Sequence, residues 1–249
     1  MTKHNFCRAE LLERINFTDE LALYRFRTDI PLTFKPGQYA TIAVEQANEL
    51  IQRPYSIASS PYEPTLEFFI ELVPDGGLTP RLWDLKIKDK VLIRNRTAGR
   101  FTLLESDKLI SHLMLATVTG IAPYISIIRT QRLDVERGRG RPNRFAVIHG
   151  GSYSCELGVY KDELAELARA GWLNYIPTIS RPWGDVAWNG ETGRVEDVIR
   201  KHADQLGFDY TNSIAYACGH PQMIENARAI LTRARFPSEN IREEKYFIA

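Results

Sequence analysis

The chain has 249 residues, of which 44% are hydrophobic, and its charged side chains leave a formal net charge of +1. That length suits one large or two modest domains, and the apolar fraction is ordinary for a globular protein with a packed core. Such a balance gives no electrostatic reason to expect nucleic acid or a membrane surface as a partner of the whole molecule.

The chain opens MTKHNFCRAE, without the apolar core of a signal peptide. No apolar run reaches the roughly 18–20 residues that a membrane-spanning helix needs, so a cytoplasmic protein is expected. Over the first part of the chain the pattern is one of short strands. LALYRFRT (21–28) partly alternates, QYATIAVE (38–45) and LEFFIELV (66–73) are rich in β-branched and aromatic residues, and KVLIRNRT (90–97) is a further candidate. Turn signals separate them at Lys35-Pro36-Gly37, Ser60-Pro61 and Pro74-Asp75-Gly76-Gly77. This spacing predicts an antiparallel barrel or sandwich, interrupted by a short helix over 78–86 with Pro80 in its first turn.

Beyond about residue 105 the pattern changes to apolar strands alternating with helices. SHLMLATVT (111–119) leads into a helix over 121–136, RFAVIHGG (144–151) into one over 159–170, LNYIPTIS (173–180) into one near 194–203, and SIAYACG (213–219) into one over 221–234. That alternation predicts a parallel sheet covered by helices, with ligands at the carboxyl ends of its strands. The polar stretch 99–108 separates the halves and gives two domains, 1–102 and 103–249.

Five segments carry candidate chemistry. Arg53-Pro54-Tyr55-Ser56 is expected at the start of a strand, where a guanidinium can clamp a diphosphate and Tyr55, on the same face two residues on, can stack on a flat ring. Taken alone, a segment of this kind is more often a surface arginine beside a core tyrosine. Asp75-Gly76-Gly77-Leu78-Thr79 opens the short helix, either as an anion-binding backbone turn or as a plain turn with a threonine cap. Thr117-Val118-Thr119-Gly120-Ile121-Ala122-Pro123 joins a buried strand to a helix, a place suited to a pyrophosphate. Ala217-Cys218-Gly219-His220-Pro221-Gln222-Met223 forms a similar junction, with a small polarizable thiol or a merely structural cysteine. The tail Glu243-Glu244-Lys245-Tyr246-Phe247-Ile248-Ala249 either forms a last strand or sets a ring over a cofactor.

Other features are weaker. Cys7, Cys155 and Cys218 are far apart and odd in number, so neither a disulfide framework nor an iron–sulfur cluster is expected, and the five histidines lack metal-ligand spacing. Redox chemistry would have to come from a bound organic cofactor. RGRGRPNR (137–144) follows a helix rather than a strand and lacks a third glycine, so it is no dinucleotide fingerprint. Its arginines read as a solvated loop or, less often, as a docking patch for an acidic partner.

In this order and spacing the five segments resemble the bacterial ferredoxin (flavodoxin)–NADP+ reductases of the wider ferredoxin-reductase superfamily, over almost the whole chain. RPYS is similar to the family's R-x-Y-S flavin motif, GGLTPRL to its second phosphate-contacting segment, TVTGIAPYIS to its G-T-G-x-A-P nucleotide loop and ACGHPQM to its C-G-x-P-x-M motif. The resemblance implies a six-stranded antiparallel β-barrel that binds FAD, followed by an α/β parallel-sheet domain that binds NADP(H). It assigns Arg53 and Pro54 to the FAD pyrophosphate segment, Tyr55 to a stack on the isoalloxazine and Ser56 to the neighbourhood of flavin N5. Backbone groups of Phe69, Ile70, Glu71, Leu72, Gly77, Leu78 and Thr79 would hold the rest of FAD, with Thr119 close by. Gly120 belongs to the nucleotide loop. Cys218 would lie beside the nicotinamide with Glu244 as a polar neighbour. Tyr246 would cover the flavin and move aside for the nicotinamide, and Phe247 would reach toward the adenine.

Arg181 and Arg194 match the family's arginines for the 2′-phosphate, whose fork of donors suits phosphate. Two positions depart from the pattern. Ser152 stands where relatives often carry arginine, and Val118 replaces the first glycine of the nucleotide loop. The implied activity is hydride exchange between NADP(H) and flavin N5, coupled to one-electron exchange with ferredoxin or flavodoxin, in a monomer. Rival readings are an oxygenase reductase component, an NAD(P)H-dependent flavin reductase and a non-catalytic nucleotide-binding sensor.

Overall fold

Six strands build the first unit: β1 (Phe6–Thr18), β2 (Leu21–Thr28), β3 (Tyr39–Gln46), β4 (Glu49–Ser56), β5 (Leu66–Glu71) and β6 (Lys90–Arg94). All neighbours are antiparallel, in the order β4-β3-β6-β1-β2-β5. The computed structural model describes residues 5–46, 49–104, 106 and 108–246. The expected six-stranded antiparallel architecture is present. Two of its strands differ from the sequence reading. β1 is not among the strands read from the sequence; its ELLERI segment is made of good helix formers, but pairing with β2 on one side and β6 on the other overrides local propensity. Register shifts at Leu11/Glu13 and Asn16/Thr18 bend this long strand. Arg53–Ser56 ends a strand instead of starting one, because residues 49–52 already pair with β3.

Tyr24, Phe26, Phe68, Leu11 and Ile42 fill the interior of this sheet. A short helix, α1 (Thr79–Trp83), closes one side, shorter than the stretch 78–86 expected. Its N-cap is Leu78 without a side-chain bond, so Thr79 is no cap. The Thr79 hydroxyl instead accepts from Val73 N–H at 2.9 Å and donates to Val73 O at 3.1 Å, which ties the 73–79 loop shut.

The same unit includes Ala122–Thr130, the first part of α2 (Ala122–Glu136). A buried polar network fixes it. Ser126 donates to Ser59 O at 2.7 Å, and the hydroxyls of Ser60 and Thr130 lie 2.8 Å apart. Glu67, 1% exposed, receives Arg25 Nε at 2.7 Å and Arg129 Nη1 at 3.0 Å.

The second unit holds β7 (Ser111–Thr117), β8 (Arg144–Gly151), β9 (Asn174–Ile179), β10 (Glu191–Thr192), β11 (Ser213–Gly219) and β12 (Ile241–Lys245). They are parallel, in the order β10-β9-β8-β7-β11-β12. α3 (Tyr160–Arg169), α4 (Val195–Leu206) and α5 (Pro221–Arg233) alternate with them as the pattern predicted. Strand order reverses between β7 and β11, because the chain winds outward to β10 and then returns to the other side of β7. Residues 137–143 form a largely exposed loop that ends where Arg144 opens β8. Arg139 pairs with Asp134 at 3.2 Å, and Arg144 donates to Leu206 O at 2.9 Å while lying over Phe208. No helix among the described residues is long and apolar enough to cross a membrane.

His112 is 1% exposed on β7, stacked on Phe145, with Nδ1 3.4 Å from the Tyr216 hydroxyl. Burial outweighs its hydrogen bonds and pushes its pKa from 6.5 down to about 4.

Two outcomes follow from these buried groups. Glu67→Ala removes the carboxylate that Arg25 and Arg129 share, while Arg25 keeps Glu13 and Arg129 keeps Glu63, and should cost about 1–3 kcal/mol in urea unfolding; no measurable loss would contradict the assigned burial of Glu67. For His112, the unfolded chain takes up its proton near 6.5 and the folded chain near 4. The His112 contribution is therefore complete above 6.5, falls as pH drops and is lost by about 4. Replacing it by asparagine should shrink the stability difference between about pH 7.5 and 4.5 by about 2–3 kcal/mol, and an unchanged difference would refute this account.

Candidate functional site

Strand order reverses between β7 and β11, and open α/β sheets bind ligands beside the carboxyl ends of the strands at such a switch point. The two loops meet there at backbone distance. A Cβ on Gly120 would fall 2.3 Å from Cys218 O, and one on Gly219, at φ +122°, would fall 2.2 Å from Thr117 Oγ1. His220 N–H donates to Thr117 Oγ1 at 2.8 Å. Both glycines are required by this approach, and both lie in segments singled out from the sequence.

Val118 sits in the left-handed region at φ +42°, a rare place for a β-branched residue. Its carbonyl lies 3.0 Å from His149 Nε2, and His149 Nδ1 lies 3.3 Å from the Tyr175 hydroxyl. His149 is fully buried, and burial pushes its pKa down to about 4, so the ring is neutral at pH 7. Thr119 is buried and its carbonyl accepts from the Tyr246 hydroxyl at 3.2 Å; Tyr246 N–H also donates to Gly219 O at 3.3 Å.

Cys218 is the last but one residue of β11, which is buried throughout, and is itself fully buried. Burial, with the Glu244 carboxylate beside it, holds its thiol well above the ordinary range, so it is protonated and not a nucleophile. Glu244 is its register partner on β12. The tail therefore does form a last strand as far as Lys245, with Tyr246 just beyond it. Phe247 lies outside the described residues.

Arg181 and Arg194 come to one strand end. Arg181 follows β9 directly after Ser180, and Arg194 follows Gly193, whose N–H donates to Ile179 O at 2.9 Å. Both are exposed. Arg181 lies over the Tyr153 ring at 5.8 Å, and neither guanidinium has a carboxylate partner among the described residues. Ser152 is close by: its carbonyl accepts from Arg181 N–H at 3.0 Å, and its own N–H donates to Glu156 at 2.6 Å.

In the antiparallel unit, Arg53 is exposed and its guanidinium reaches only Gln52 O, at 2.8 Å, with no ion pair among the described residues. Pro54 is exposed, Tyr55 packs its ring against the sheet interior, and Ser56 is buried. Gly77 lies against Ile51, two residues before Arg53 on β4 and on the same face. The N–H groups of Gly77, Leu78 and Thr79 have no protein acceptor among the described residues. Phe69, Ile70 and Glu71 lie on the edge strand β5, and Leu72 N–H is taken by Glu20 O at 2.7 Å.

Two dinucleotide cofactors fit these donors. A diphosphate needs a guanidinium not already spent on a carboxylate and backbone N–H groups without acceptors, and the region of Arg53 and Gly77–Thr79 has both. A 2′-phosphate needs guanidinium groups free of carboxylates, which those of Arg181 and Arg194 are among the described residues, although Arg194 N–H is bonded to Asp197 Oδ2 at 2.9 Å. Sequence reasoning placed His149 at a strand end but gave it no role, and it missed Tyr175. The first sits inside an apolar strand run and the second at no motif, so only the fold shows that they meet under Val118.

Comparison with known proteins agrees with both halves. An oxidoreductase FAD-binding domain family matches residues 8–102, and an oxidoreductase NAD-binding domain family matches 114–229. The flavodoxin/ferredoxin–NADP reductase of Shigella flexneri is 34% identical over 220 residues, covering 86% of this chain and 84% of that protein. The ferredoxin–NADP reductase of Pseudomonas aeruginosa is 32% identical over 244 residues, covering 91% and 89%. The fold is shared with a ferredoxin NADP+ reductase from Neisseria gonorrhoeae solved with bound FAD and NADP, at a TM-score of 0.85 and 22% identity over 98% of this chain and 99% of that one. With two nucleotide-ready donor sets on the expected folds, the chain belongs to the flavodoxin/ferredoxin–NADP reductase family, FAD- and NAD(P)-binding oxidoreductases.

Proposed function

We propose that this protein exchanges electrons between NADP(H) and a ferredoxin or flavodoxin, as a cytoplasmic monomer whose residues 1–102 carry FAD and whose residues 103–249 carry the nicotinamide nucleotide. When bound, FAD supplies the chemistry, exchanging a hydride with the nicotinamide and single electrons with the carrier. The protein's part is to bind, orient and insulate.

Arg53 and the open N–H groups of Gly77, Leu78 and Thr79 are assigned to the FAD diphosphate. Tyr55 offers a ring and Ser56 a hydroxyl at the end of β4 for the isoalloxazine. Gly120, Thr119 and the crevice beside Cys218 are assigned to the nicotinamide half of NADP(H). Cys218 contributes a small apolar wall, kept neutral by its burial, and Glu244 a polar neighbour. Tyr246 is bonded to Thr119 O and Gly219 O in that crevice, so nicotinamide entry requires it to let go.

The observation that carries the NADP assignment is the convergence of Arg181 and Arg194, both unpaired with carboxylates among the described residues, at the end of β9. A charge-assisted hydrogen bond is worth about 1.5–3 kcal/mol, so Arg181→Ala or Arg194→Ala should raise KM for NADPH about tenfold to a hundredfold. KM for NADH and kcat should stay near wild type, because NADH lacks the 2′-phosphate. Equal losses with both nucleotides would contradict the assignment.

A further inference from the structure

The nucleotide loop of this chain holds a residue that its backbone shape disfavours. At φ +42°, Val118 occupies the left-handed region, where a β-branched side chain crowds the backbone. Strain of this kind costs of order 1–3 kcal/mol and persists only where the surroundings dictate the conformation. The contacts that dictate it can be traced. Thr117 Oγ1 is bonded to His220 N–H at 2.8 Å, Thr119 O to the Tyr246 hydroxyl at 3.2 Å, and Val118 O to His149 Nε2 at 3.0 Å. The first two contacts flank the strained residue. Among the described residues, only the third grips its own carbonyl from a side chain.

The chemistry of that third contact allows one arrangement. A carbonyl oxygen only accepts, so His149 Nε2 must carry the proton. Nδ1 is then a lone pair, and the Tyr175 hydroxyl at 3.3 Å donates to it. Burial drives the Tyr175 phenol pKa up and the imidazole pKa down, so the tyrosine stays a donor and the ring stays neutral. The ring is fully buried. It does not face the crevice as a binding group; it stands behind the loop.

We propose that His149 is a positioning residue for nucleotide binding: its Nε2–H, oriented by Tyr175, holds Val118 in the left-handed conformation and so fixes the loop of Thr117–Ile121 in the shape that receives the dinucleotide. This rests on the assignment of that loop to NADP(H) made above. It also accounts for how a valine is tolerated where the family pattern has glycine. Glycine adopts the left-handed region without strain, so a glycine at position 118 would need the clamp less.

The test measures binding by calorimetry on the flavin-loaded protein, with NADP+ and with 2′-AMP as probes. The second probe keeps the 2′-phosphate but lacks the diphosphate and nicotinamide. His149→Leu removes the donor and should weaken NADP+ about tenfold, the upper range for one hydrogen bond, with 2′-AMP moved less than about twofold. His149→Gln, whose amide nitrogen can stand in for Nε2, should recover most of the affinity. In a Val118→Gly background, His149→Leu should cost less than about threefold. Equal weakening of both probes, no recovery by glutamine, or an undiminished loss in the glycine background would each overturn the clamp. Should His149→Leu alone fail to fold, the Val118→Gly/His149→Leu pair decides, because the clamp predicts that glycine restores NADP+ binding and its absence there refutes it. Wild-type protein that NADPH does not reduce would instead mark failure of the functional assignment itself.

Discussion

Backbone meets backbone where β7 and β11 end. Gly120 stands so close to Cys218 that any side chain on it would occupy the place of a carbonyl, and Gly219 stands equally close to Thr117. This approach is possible because the chain returns across the sheet and lays its fourth long strand beside its first. The other features of the α/β unit's site are arranged around it. Thr117 captures His220 N–H, Tyr246 reaches both loops, and Cys218 is sealed in with Glu244 as its register partner.

Electrostatics divides the arginines into two groups. Arg25 and Arg129 are spent on Glu67, and Arg139 on Asp134. Among the described residues Arg53, Arg181 and Arg194 have no such partner, although each sits where a phosphate of a bound dinucleotide is assigned. An exposed ion pair is worth little, so the chain gives up little stability by leaving these three uncommitted. What it keeps is a set of cations ready for phosphate. At the Ser152 position the balance is different: Glu156 brings a carboxylate to the loop, which on the proposed assignment leaves the positive charge there to Arg181 and Arg194.

Much of this was legible in the sequence. Apolar runs such as SIAYACG specified β11 to the residue, since a strand buried on both faces leaves no other reading. Gly120 was read as a place where the backbone comes close, and it does so against Cys218 O, whereas the matching approach of Gly219 to Thr117 had no signal of its own. β1 is hard to read because ELLERI is made of good helix formers, and only pairing on two sides makes it a strand. The place of Arg53 at the end of β4 depended on a hairpin partner that no local signal names. The roles of His149 and Tyr175 were illegible for the same reason: neither carries a motif, and their meeting beneath Val118 is a product of adjacent strands. Val118 itself was flagged as a departure, but its left-handed backbone was not foreseeable from one substitution.

The central claim is that a resident flavin on the first unit receives electrons from a 2′-phosphorylated nicotinamide nucleotide held by the second. Anaerobic titration of the as-isolated protein with NADPH, and separately with NADH, while following the visible flavin absorption, tests it most directly. The account predicts a yellow protein bleached at near-stoichiometric NADPH and far less readily by NADH. A colourless protein that takes up no FAD, or a bound flavin that NADPH leaves oxidised, would contradict it.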